Sequence, residues 1–481
     1  MKLSALSGEA FAVDPDITGL TADSRAVRNG YLFAALPGEK FDGAKFIPQA
    51  EKNGAAAILA TPGADTSLPL VADANPRARL AAMAARFYPR QPEIIAGVTG
   101  TNGKTSTAHF AAQLWEKLGR NGGSLGTLGA QSRDFKQRAT LTTPEPVALH
   151  ETLDAMAAAG VDRLAMEVSS HAIAQARADA VNFSITAFTN ITQDHLDYHA
   201  TFADYFAAKA RLFEELLTPD GVAVVNVNGE GASEIIDLAK ARGAKVFTTG
   251  TEGDTICLLK TEATSAGTDC YIAAFGEEYK IRLPLIGAFQ AENALLAAGI
   301  VIASGEASAT VMPLLGDLAG VPGRMQHAAS IKGAGVYVDY AHTPDAIASA
   351  LESIRPHAEG RVIAIIGAGG DRDRTKRPLM GKAAADAADV VIVTDDNPRN
   401  EDPADIRKAV LASCPNAIEI GDRAAAIERG VSLLRRGDVL LVLGKGHETG
   451  QQVGDQVLPF DDVAVAAAAV ATLEKGRKFG S

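Results

Sequence analysis

The sequence has few of the features that mark a disulfide-rich, nucleic-acid-binding or membrane-spanning protein. It contains only three cysteines and no CxxC pair, which argues against a disulfide framework or a zinc ribbon. Lys and Arg number 46 against 58 Asp and Glu, so the basic excess typical of nucleic-acid-binding proteins is absent. No apolar run approaches the ~20 residues of a membrane helix, and the start of the chain has no signal-peptide pattern. We therefore expect an enzyme of the reducing cytoplasm that is not embedded in a membrane and binds no nucleic acid.

The chain does have enough apolar sequence for several cores, with clear breaks between them. Hydrophobic residues make up 47% of its 481 residues, and this length predicts about three domains. Pro89 and Pro92 end a first segment of mixed strand and helix patterns, and the turn cluster at residues 320–324 ends a second. The predicted domains cover residues 1–92, 93–322 and 323–481.

The patterns within these segments predict an α/β fold. Strands and helices alternate through the central segment, as a doubly wound parallel sheet requires, with a small β excursion over residues 248–286. The last segment restarts a βαβ pattern. We expect a small α/β amino-terminal domain, a doubly wound central domain and a Rossmann-like carboxy-terminal domain.

A strand, a glycine-rich turn and a helix start predict a phosphate-binding loop in the central domain, as in P-loop ATPases. The turn reads Gly97-Val-Thr-Gly-Thr-Asn-Gly-Lys-Thr105, and its first glycine stands one position earlier than in the usual pattern. Backbone N–H groups at a helix start bind anions, Lys104 would reach the terminal phosphates, and the Thr105 hydroxyl would bind Mg²⁺. The residues expected at the nucleotide are Gly100, Thr101, Asn102, Gly103, Lys104, Thr105 and Ser106.

Two further stretches of the central segment carry groups suited to a metal–phosphate site. Glu167 ends a predicted strand and could be a second protein ligand of Mg²⁺, while Ser169 or Ser170 could cap the next helix; both interpretations can hold together. His195 and His199 would share a helix face as in zinc sites, but the glutamate of HExxH and a third ligand are missing. We favour a histidine that assists a magnesium–phosphate site, with a solvated acidic helix start as the alternative.

Three charged, glycine-rich or polar strand endings in the last segment predict a site for a zwitterionic amino acid. Residues 367–374, 395–399 and 444–448 each follow a predicted strand, and ligands bind at the carboxyl ends of strands in open α/β sheets. Residues 367–374 do not match the dinucleotide-binding pattern GxGxxG, because Arg372 stands where the pattern has its third glycine. Arginines in such a turn suit a carboxylate or a phosphate. Each ending taken alone is equally typical of a solvated turn.

In this order, and over nearly the whole chain, the motifs resemble those of the Mur ligases, ATP-dependent enzymes of peptidoglycan precursor synthesis. The matching segments are residues 99–105, 167–171, 194–199, 292–293, 323–324 and 339–344. Asp23-Ser-Arg25 and Phe41-Asp-Gly43 resemble the uridine-binding domain of the tripeptide-forming members. The resemblance implies that the chain, as a monomer, uses ATP and two Mg²⁺ ions to join meso-diaminopimelate to UDP-N-acetylmuramoyl-L-alanyl-D-glutamate (UDP-MurNAc-L-Ala-D-Glu).

The resemblance also implies a role for each matching residue. The local pattern alone predicts that Lys209 is a surface lysine, with a buried reactive lysine as the alternative. The resemblance implies that Lys209 is carbamylated. Catalysis would involve Lys104, His195 and Lys209, and the metal ligands would be Thr105, Glu167, His195 and the Lys209 carbamate. Further ATP contacts would come from Asn293, Arg324 and Asp339. The UDP-linked dipeptide would contact Ser24, Thr142, Thr143, Ser169, Gln175 and Arg177. Diaminopimelate would contact Arg372, Asp396, Asn397, Pro398, Arg399, Gly444 and Glu448.

In the family that the chain resembles, the Asp-Asn-Pro-Arg motif of residues 396–399 marks members that add diaminopimelate, and members that add L-lysine usually lack the arginine. Arg399 and Arg372 would pair the far carboxylate of diaminopimelate and Glu448 its ammonium, whereas lysine would leave the arginines unpaired. The chain departs from the family at Leu141, where asparagine is common, and at residues 39–40. Alternative functions are an L-lysine-adding ligase, a folylpolyglutamate-synthetase-like ligase, which would lack the uridine-binding domain, and a nucleotide-dependent switch protein.

Overall fold

Three sheets with flanking helices and one separate hairpin make up the part of the protein that the structure describes. The computed structural model describes residues 1–38, 42–192, 198–264 and 267–478. None of the helices in that part of the chain combines the length and apolarity that crossing a bilayer demands. The predicted α/β class with three sheet-centred regions is confirmed, while the domain boundaries stay a prediction.

The first sheet is small and entirely parallel. Its strands, in spatial as in chain order, are β1 (Gly19–Thr21), β2 (Tyr31–Ala34), β3 (Ala57–Ala60) and β4 (Leu70–Ala72). The helices of this region are α1 (Leu3–Ser7), α2 (Ile47–Lys52) and α3 (Pro76–Phe87). The side chain of Asn75 caps α3, and Pro76 occupies its first turn, which fixes where this helix begins.

The central sheet is larger and mixed. Its strands are β5 (Ile94–Thr99), β6 (Gly122–Gly126), β7 (Gly129–Ser132), β8 (Lys136–Gln137), β9 (Arg163–Glu167), β10 (Phe183–Phe188), β11 (Leu217–Asn226), β12 (Lys245–Gly250), β13 (Ile256–Thr264), β14 (Gly267–Ala274) and β15 (Glu277–Leu283). Their order is β15-β14-β13-β12-β11-β10-β5-β9-β6-β7-β8. The seven strands from β13 to β6 in this order pair in parallel, and β13–β15 form an antiparallel meander within the predicted β excursion.

Helices cover both faces of the central sheet. They are α4 (Lys104–Lys117), α5 (Pro146–Ala158), α6 (Ser170–Ala174), α7 (Phe202–Arg211), α8 (Ala232–Ala241), α9 (Ala288–Ala303) and α10 (Ser308–Val311). One core joins Trp115 of α4 to Leu295 of α9, and the opposite core contains Leu153 of α5 and Ile235 of α8. The sheet is therefore doubly wound, which leaves the carboxyl ends of its parallel strands open for a site.

The third sheet is parallel except at one edge. Its strands are β16 (Gln326–Ile331), β17 (Ala334–Asp339), β18 (Val362–Ile366), β19 (Val390–Val393), β20 (Ile418–Glu419) and β21 (Val439–Leu443), in the order β16-β17-β21-β18-β19-β20 with β16 antiparallel. Its helices are α11 (Pro344–Ile354), α12 (Lys376–Ala387), α13 (Pro403–Leu411), α14 (Arg423–Leu433) and α15 (Asp462–Lys478). A separate hairpin of β22 (Gly450–Val453) and β23 (Gln456–Pro459) follows β21.

A fully buried ion pair joins the starts of α14 and α15. The guanidinium of Arg423 donates to both carboxylate oxygens of Asp462 at 2.7 and 2.6 Å, and both side chains are 0% exposed. Arg423 also donates to the carbonyl oxygens of Asp395 and Leu443, which follow β19 and end β21. The pair thus fixes the backbone directly behind two of the strand endings that the sequence predicts to bind a ligand.

The substitution Arg423→Met is expected to destabilise this region by about 3–5 kcal/mol because it leaves the Asp462 carboxylate buried and unpaired. The double variant Arg423→Met, Asp462→Leu should recover much of the loss because neither charge remains. Urea unfolding followed by circular dichroism measures the effect. Fluorescence of Trp115, the single tryptophan, reports the unmutated central core as a control. A single variant as stable as the parent chain would show that the pair contributes nothing.

Candidate active site

The phosphate-binding loop connects β5 to α4, and two of its glycines are required by its shape. Gly100 has a φ of +144° and Gly103 a φ of +84°. A side chain at Gly100 would overlap the Thr189 hydroxyl, and one at Gly103 would overlap the Asn293 amide oxygen. The Lys104 ammonium donates to the Gly100 carbonyl at 2.8 Å. The strand, loop and helix therefore have the arrangement that the sequence predicts for an anion-binding loop.

Glu167 lies buried beside the first turn of α4. Its carboxylate accepts hydrogen bonds from the Thr105 hydroxyl at 3.0 Å, the Thr127 N–H at 2.8 Å and the Thr127 hydroxyl at 3.2 Å. Gly126 leaves room for it, because a side chain there would overlap the carboxylate. A carboxylate and a hydroxyl are hard oxygen ligands, so Glu167 and Thr105 fit Mg²⁺. Thr127 was not predicted from the sequence.

Only part of the predicted histidine motif can be placed. His195 lies outside the described residues, so its action at a second Mg²⁺ stays a prediction. His199 lies in a bend, because α7 begins only at Phe202. The prediction that His199 lies on a helix face is therefore wrong. Its ring instead packs 5.7 Å from that of His171.

Lys209 is buried rather than at the surface, because the face of α7 that carries it packs onto the phosphate-binding loop. Its side chain is only 1% exposed, and its ammonium donates to the Gly100 carbonyl at 2.8 Å. The ammonium also lies 4.5 Å from the centre of the Tyr205 ring. The Tyr205 hydroxyl in turn contacts the Thr101 hydroxyl at 3.0 Å. The ammonium groups of Lys209 and Lys104 therefore both donate to the Gly100 carbonyl oxygen.

Arg324 reaches the phosphate-binding loop from the side of the third sheet. Its guanidinium donates to the Thr105 hydroxyl at 3.2 Å and lies 4.4 Å from the centre of the Tyr340 ring. Asp339 accepts a hydrogen bond from the backbone N–H of Met325 at 2.6 Å and so holds the turn that carries Arg324. Burial raises the pKa of Asp339, with Arg324 opposing that shift. Asn293 and Arg324 therefore lie at the loop and Asp339 supports the turn behind Arg324, while their contacts with ATP stay a prediction.

Five residues predicted at the UDP-linked dipeptide form a polar group next to Glu167. The Ser169 N–H donates to the Thr143 hydroxyl at 3.1 Å, and Arg177 donates to the Thr143 carbonyl at 3.2 Å and to the Gln175 amide oxygen at 2.6 Å. Thr142 is the residue directly before Thr143. Ser169 also caps α6, so the predicted capping role is confirmed.

A cavity of about 690 Å³ extends from this group towards the first sheet. It is lined by Pro37, Gly38, Arg77, His171, Ala174, Gln175 and Tyr198. Arg77 and Tyr198 were not predicted. Ser24 does not line it; its carbonyl accepts a hydrogen bond from Asn53 at 2.8 Å. Phe41, Glu39 and Lys40 lie outside the described residues, so the predicted uridine contacts there stay predictions.

A second cavity, of about 650 Å³, lies at the carboxyl ends of the third sheet. Six of the seven residues predicted to bind diaminopimelate line it, namely Arg372, Asp396, Asn397, Arg399, Gly444 and Glu448. Pro398, the seventh, does not line this cavity. Its carbonyl oxygen lies so close to Gly370 that a side chain at that glycine would overlap it. The three strand endings therefore do meet at one place.

Arg399 is held in an unusual backbone conformation in this wall. Its φ is +52°, and its guanidinium donates to the Gly370 carbonyl at 2.8 Å. Burial lowers the pKa of Arg399, and the neighbouring charge of Arg372 lowers it further. Among the described residues neither guanidinium forms an ion pair, and two guanidinium groups close together suit a carboxylate ligand.

His171 lines both cavities. The first cavity adjoins the polar group beside Glu167, and the second holds the charged residues of the third sheet. The second cavity also reaches the phosphate-binding loop, because the N–H of Thr192 in its wall donates to the Thr101 hydroxyl at 3.0 Å. The arrangement suits the joining of two substrates with the use of a nucleotide.

Known proteins match the chain over almost its full length. The sequence matches the Mur ligase family, catalytic domain over residues 16–91, the Mur ligase middle domain over 98–301, and the Mur ligase, glutamate ligase domain over 323–446. It is 48% identical to the UDP-N-acetylmuramoyl-L-alanyl-D-glutamate--2,6-diaminopimelate ligase of Bradyrhizobium diazoefficiens, covering 98% of this chain and 99% of that protein. The Caulobacter vibrioides protein of the same name is 50% identical, with 96% and 97% covered. A solved structure of a ligase with that name superposes with a TM-score of 0.73 at 30% identity, covering 98% of this chain and 99% of the other. The chain belongs to the Mur ligase family.

Proposed function

We propose that the chain is an ATP-dependent amide ligase that joins meso-diaminopimelate to the γ-carboxylate of the D-glutamate in UDP-MurNAc-L-Ala-D-Glu. The observation that carries this proposal is that His171 lines both cavities, the second of which reaches the phosphate-binding loop through Thr192. The names of the two bacterial relatives support the same substrates.

In the proposed reaction, the γ-phosphoryl group of ATP passes to the D-glutamate carboxylate, and the diaminopimelate amine then displaces phosphate from the acyl phosphate. Lys104 and the loop N–H groups would hold the phosphates, and Arg324 would reach them from the third sheet. Thr105 and Glu167 would hold Mg²⁺, with His195 and a carbamate on Lys209 as further ligands. When bound, Mg²⁺ supplies positive charge that offsets the repulsion between the two anions. Catalysis would come mainly from positioning and electrostatics.

The charge pattern of the second cavity supports diaminopimelate rather than L-lysine. Arg372 and Arg399 would pair the second carboxylate, which L-lysine lacks, and Glu448 would take the second ammonium. With L-lysine the two guanidinium groups would stay unpaired in the wall and repel its cation.

Release of ADP tests the reaction and the substrate together. Wild-type protein, ATP, Mg²⁺ and UDP-MurNAc-L-Ala-D-Glu are mixed with meso-diaminopimelate, with L-lysine, or with no amine. We expect fast ADP release only with diaminopimelate. Release with L-lysine alone would keep the ligase and overturn the pocket assignment. Full release without any amine would contradict amide formation, and release in no mixture would favour the folate-type alternative or a switch protein.

We propose that the three domains cover residues 1–92, 93–322 and 323–481, that two Mg²⁺ ions take part, and that the protein acts as a monomer in the cytoplasm. The negative formal charge of −12 and the polar cavities are compatible with small anionic substrates held by local cations.

A further inference from the structure

A lysine that the predicted site does not include lies fully buried behind the second cavity. Lys445 is 0% exposed and follows β21 between Gly444 and Gly446, whose φ angles are +113° and +54°. A side chain at Gly444 would crowd the Asp396 carboxylate at 2.5 Å, and one at Gly446 would meet Tyr340 at 2.7 Å. The turn that buries Lys445 therefore depends on both glycines. A buried ammonium is costly unless it is fully hydrogen-bonded.

The Lys445 ammonium has three protein acceptors. It donates to Glu448 Oε2 at 2.9 Å, to Asn397 Oδ1 at 3.1 Å and to the Gly450 carbonyl at 2.6 Å. An ammonium has three donors, so all of them are used inside the protein. Lys445 therefore has no donor left for a ligand and can affect one only through its neighbours.

Asn397 takes a single orientation because of this contact. Its amide oxygen accepts from Lys445 and from the backbone N–H of Gln452 at 2.9 Å, and both of these groups can only donate. The amide N–H group must then face the other way, where it donates to Glu448 Oε2 at 2.8 Å. Without Lys445 one of the two groups that define this orientation is lost.

Glu448 is oriented by the same ammonium. Lys445 and Asn397 both donate to its Oε2 atom. The Glu448 side chain is 31% exposed while that of Lys445 is 0% exposed, so the pair has a buried cationic end and an accessible anionic end. Oε1 is the carboxylate oxygen that these two contacts leave for a ligand.

We propose that Lys445 is a positioning residue for amino-acid specificity, which fixes the Asn397 amide and turns Glu448 Oε1 towards the substrate ammonium. The inference rests on the proposed function, because it takes the second cavity as the diaminopimelate site. It predicts that loss of the Lys445 charge weakens diaminopimelate binding and leaves the ATP site intact.

The test is the variant Lys445→Met, which keeps the length of the side chain and removes the ammonium. We expect KM for diaminopimelate to rise at least about tenfold, because buried acceptors lose their donor. KM for ATP and for UDP-MurNAc-L-Ala-D-Glu should change less than about twofold. The effects of Lys445→Met and Asn397→Ala should not multiply in the double variant, because one acts through the other. A merely structural role would instead lower kcat and the melting temperature and shift all three KM values.

The control Lys382→Met makes the same change at an exposed ion pair with Asp386 and should leave every constant unchanged. If Lys445→Met does not fold, Lys445→Gln retains a neutral donor and should show a smaller rise in the same KM. An unchanged diaminopimelate KM in a folded variant, with the wild type active, would overturn the role of Lys445 alone. A wild type that does not use diaminopimelate would overturn the proposed function as well.

Discussion

Replacing Lys209 by alanine is expected to lower kcat by about 10³-fold, the scale of losing one electrostatic contact at a reacting centre. The reason lies in the shared acceptor: the ammonium groups of Lys104 and Lys209 both donate to the Gly100 carbonyl. Two cations so close repel each other. Carbamylation of Lys209 by CO₂ would replace one cation by an anion and would place that anion near Lys104.

A carbamate on Lys209 predicts two results that the loss of a positive charge alone does not. Short carboxylic acids should partly restore kcat in Lys209→Ala, because they can fill the space with an anion. Lys209→Arg should be inactive and not rescued, since a guanidinium keeps the charge and cannot form the carbamate. The control Lys240→Ala removes an exposed lysine of α8 and should have wild-type activity. Wild-type kcat in Lys209→Arg would show that the carbamate is not needed.

Replacing Arg399 by asparagine is expected to lower kcat/KM for diaminopimelate by about 10²-fold or more, which corresponds to about 3 kcal/mol for removing one partner of a buried charge pair. Asparagine is chosen because the φ of +52° at this position is tolerated by asparagine better than by alanine. The variant thus removes the guanidinium with little backbone strain. Activity with L-lysine should fall much less, because its side chain has no second carboxylate.

The control for Arg399 is Arg374→Asn. The Arg374 side chain is 73% exposed and pairs with Glu401 at 3.0 Å, so this variant removes an arginine near the cavity without touching its wall. We expect the ratio of kcat/KM for diaminopimelate to that for L-lysine to fall in Arg399→Asn and to stay constant in Arg374→Asn. An equal loss of kcat/KM with both amines in Arg399→Asn would show that Arg399 supports the fold and does not bind the second carboxylate of diaminopimelate.

The elements of the fold were predictable where local chemistry decides them. The alternation of strands and helices in the central segment, the β excursion over residues 248–286 and the strand endings of the third sheet follow from periodicity and turn residues. The antiparallel pairing within the excursion was not predicted. The edge strand β8, and with it the pairing of β7, could not be predicted, because β8 has only two residues and both are exposed. Their pairing depends on the sheet that they join.

Some residues of the candidate site can be identified from the local sequence, whereas others become apparent only from the packing of the fold. Lys104, Thr105 and the glycines of the loop are recognisable because spacing along the chain specifies the geometry. Lys209 looks like a surface lysine until α7 is packed onto the loop, and only the family resemblance indicated its role. Lys445 had a weak signal, a lysine between two glycines at a strand end, but its burial also depends on Asn397, which lies on the loop after β19.

Mass spectrometry of the reaction product tests the central claim most directly. Wild-type protein is incubated with ATP, Mg²⁺, UDP-MurNAc-L-Ala-D-Glu and an equimolar mixture of meso-diaminopimelate and L-lysine, and the nucleotide-linked product is isolated and fragmented. The account predicts one product, in which diaminopimelate is joined by an amide bond to the γ-carboxylate of D-glutamate. A product that contains lysine, or one joined at the α-carboxylate, would contradict the account.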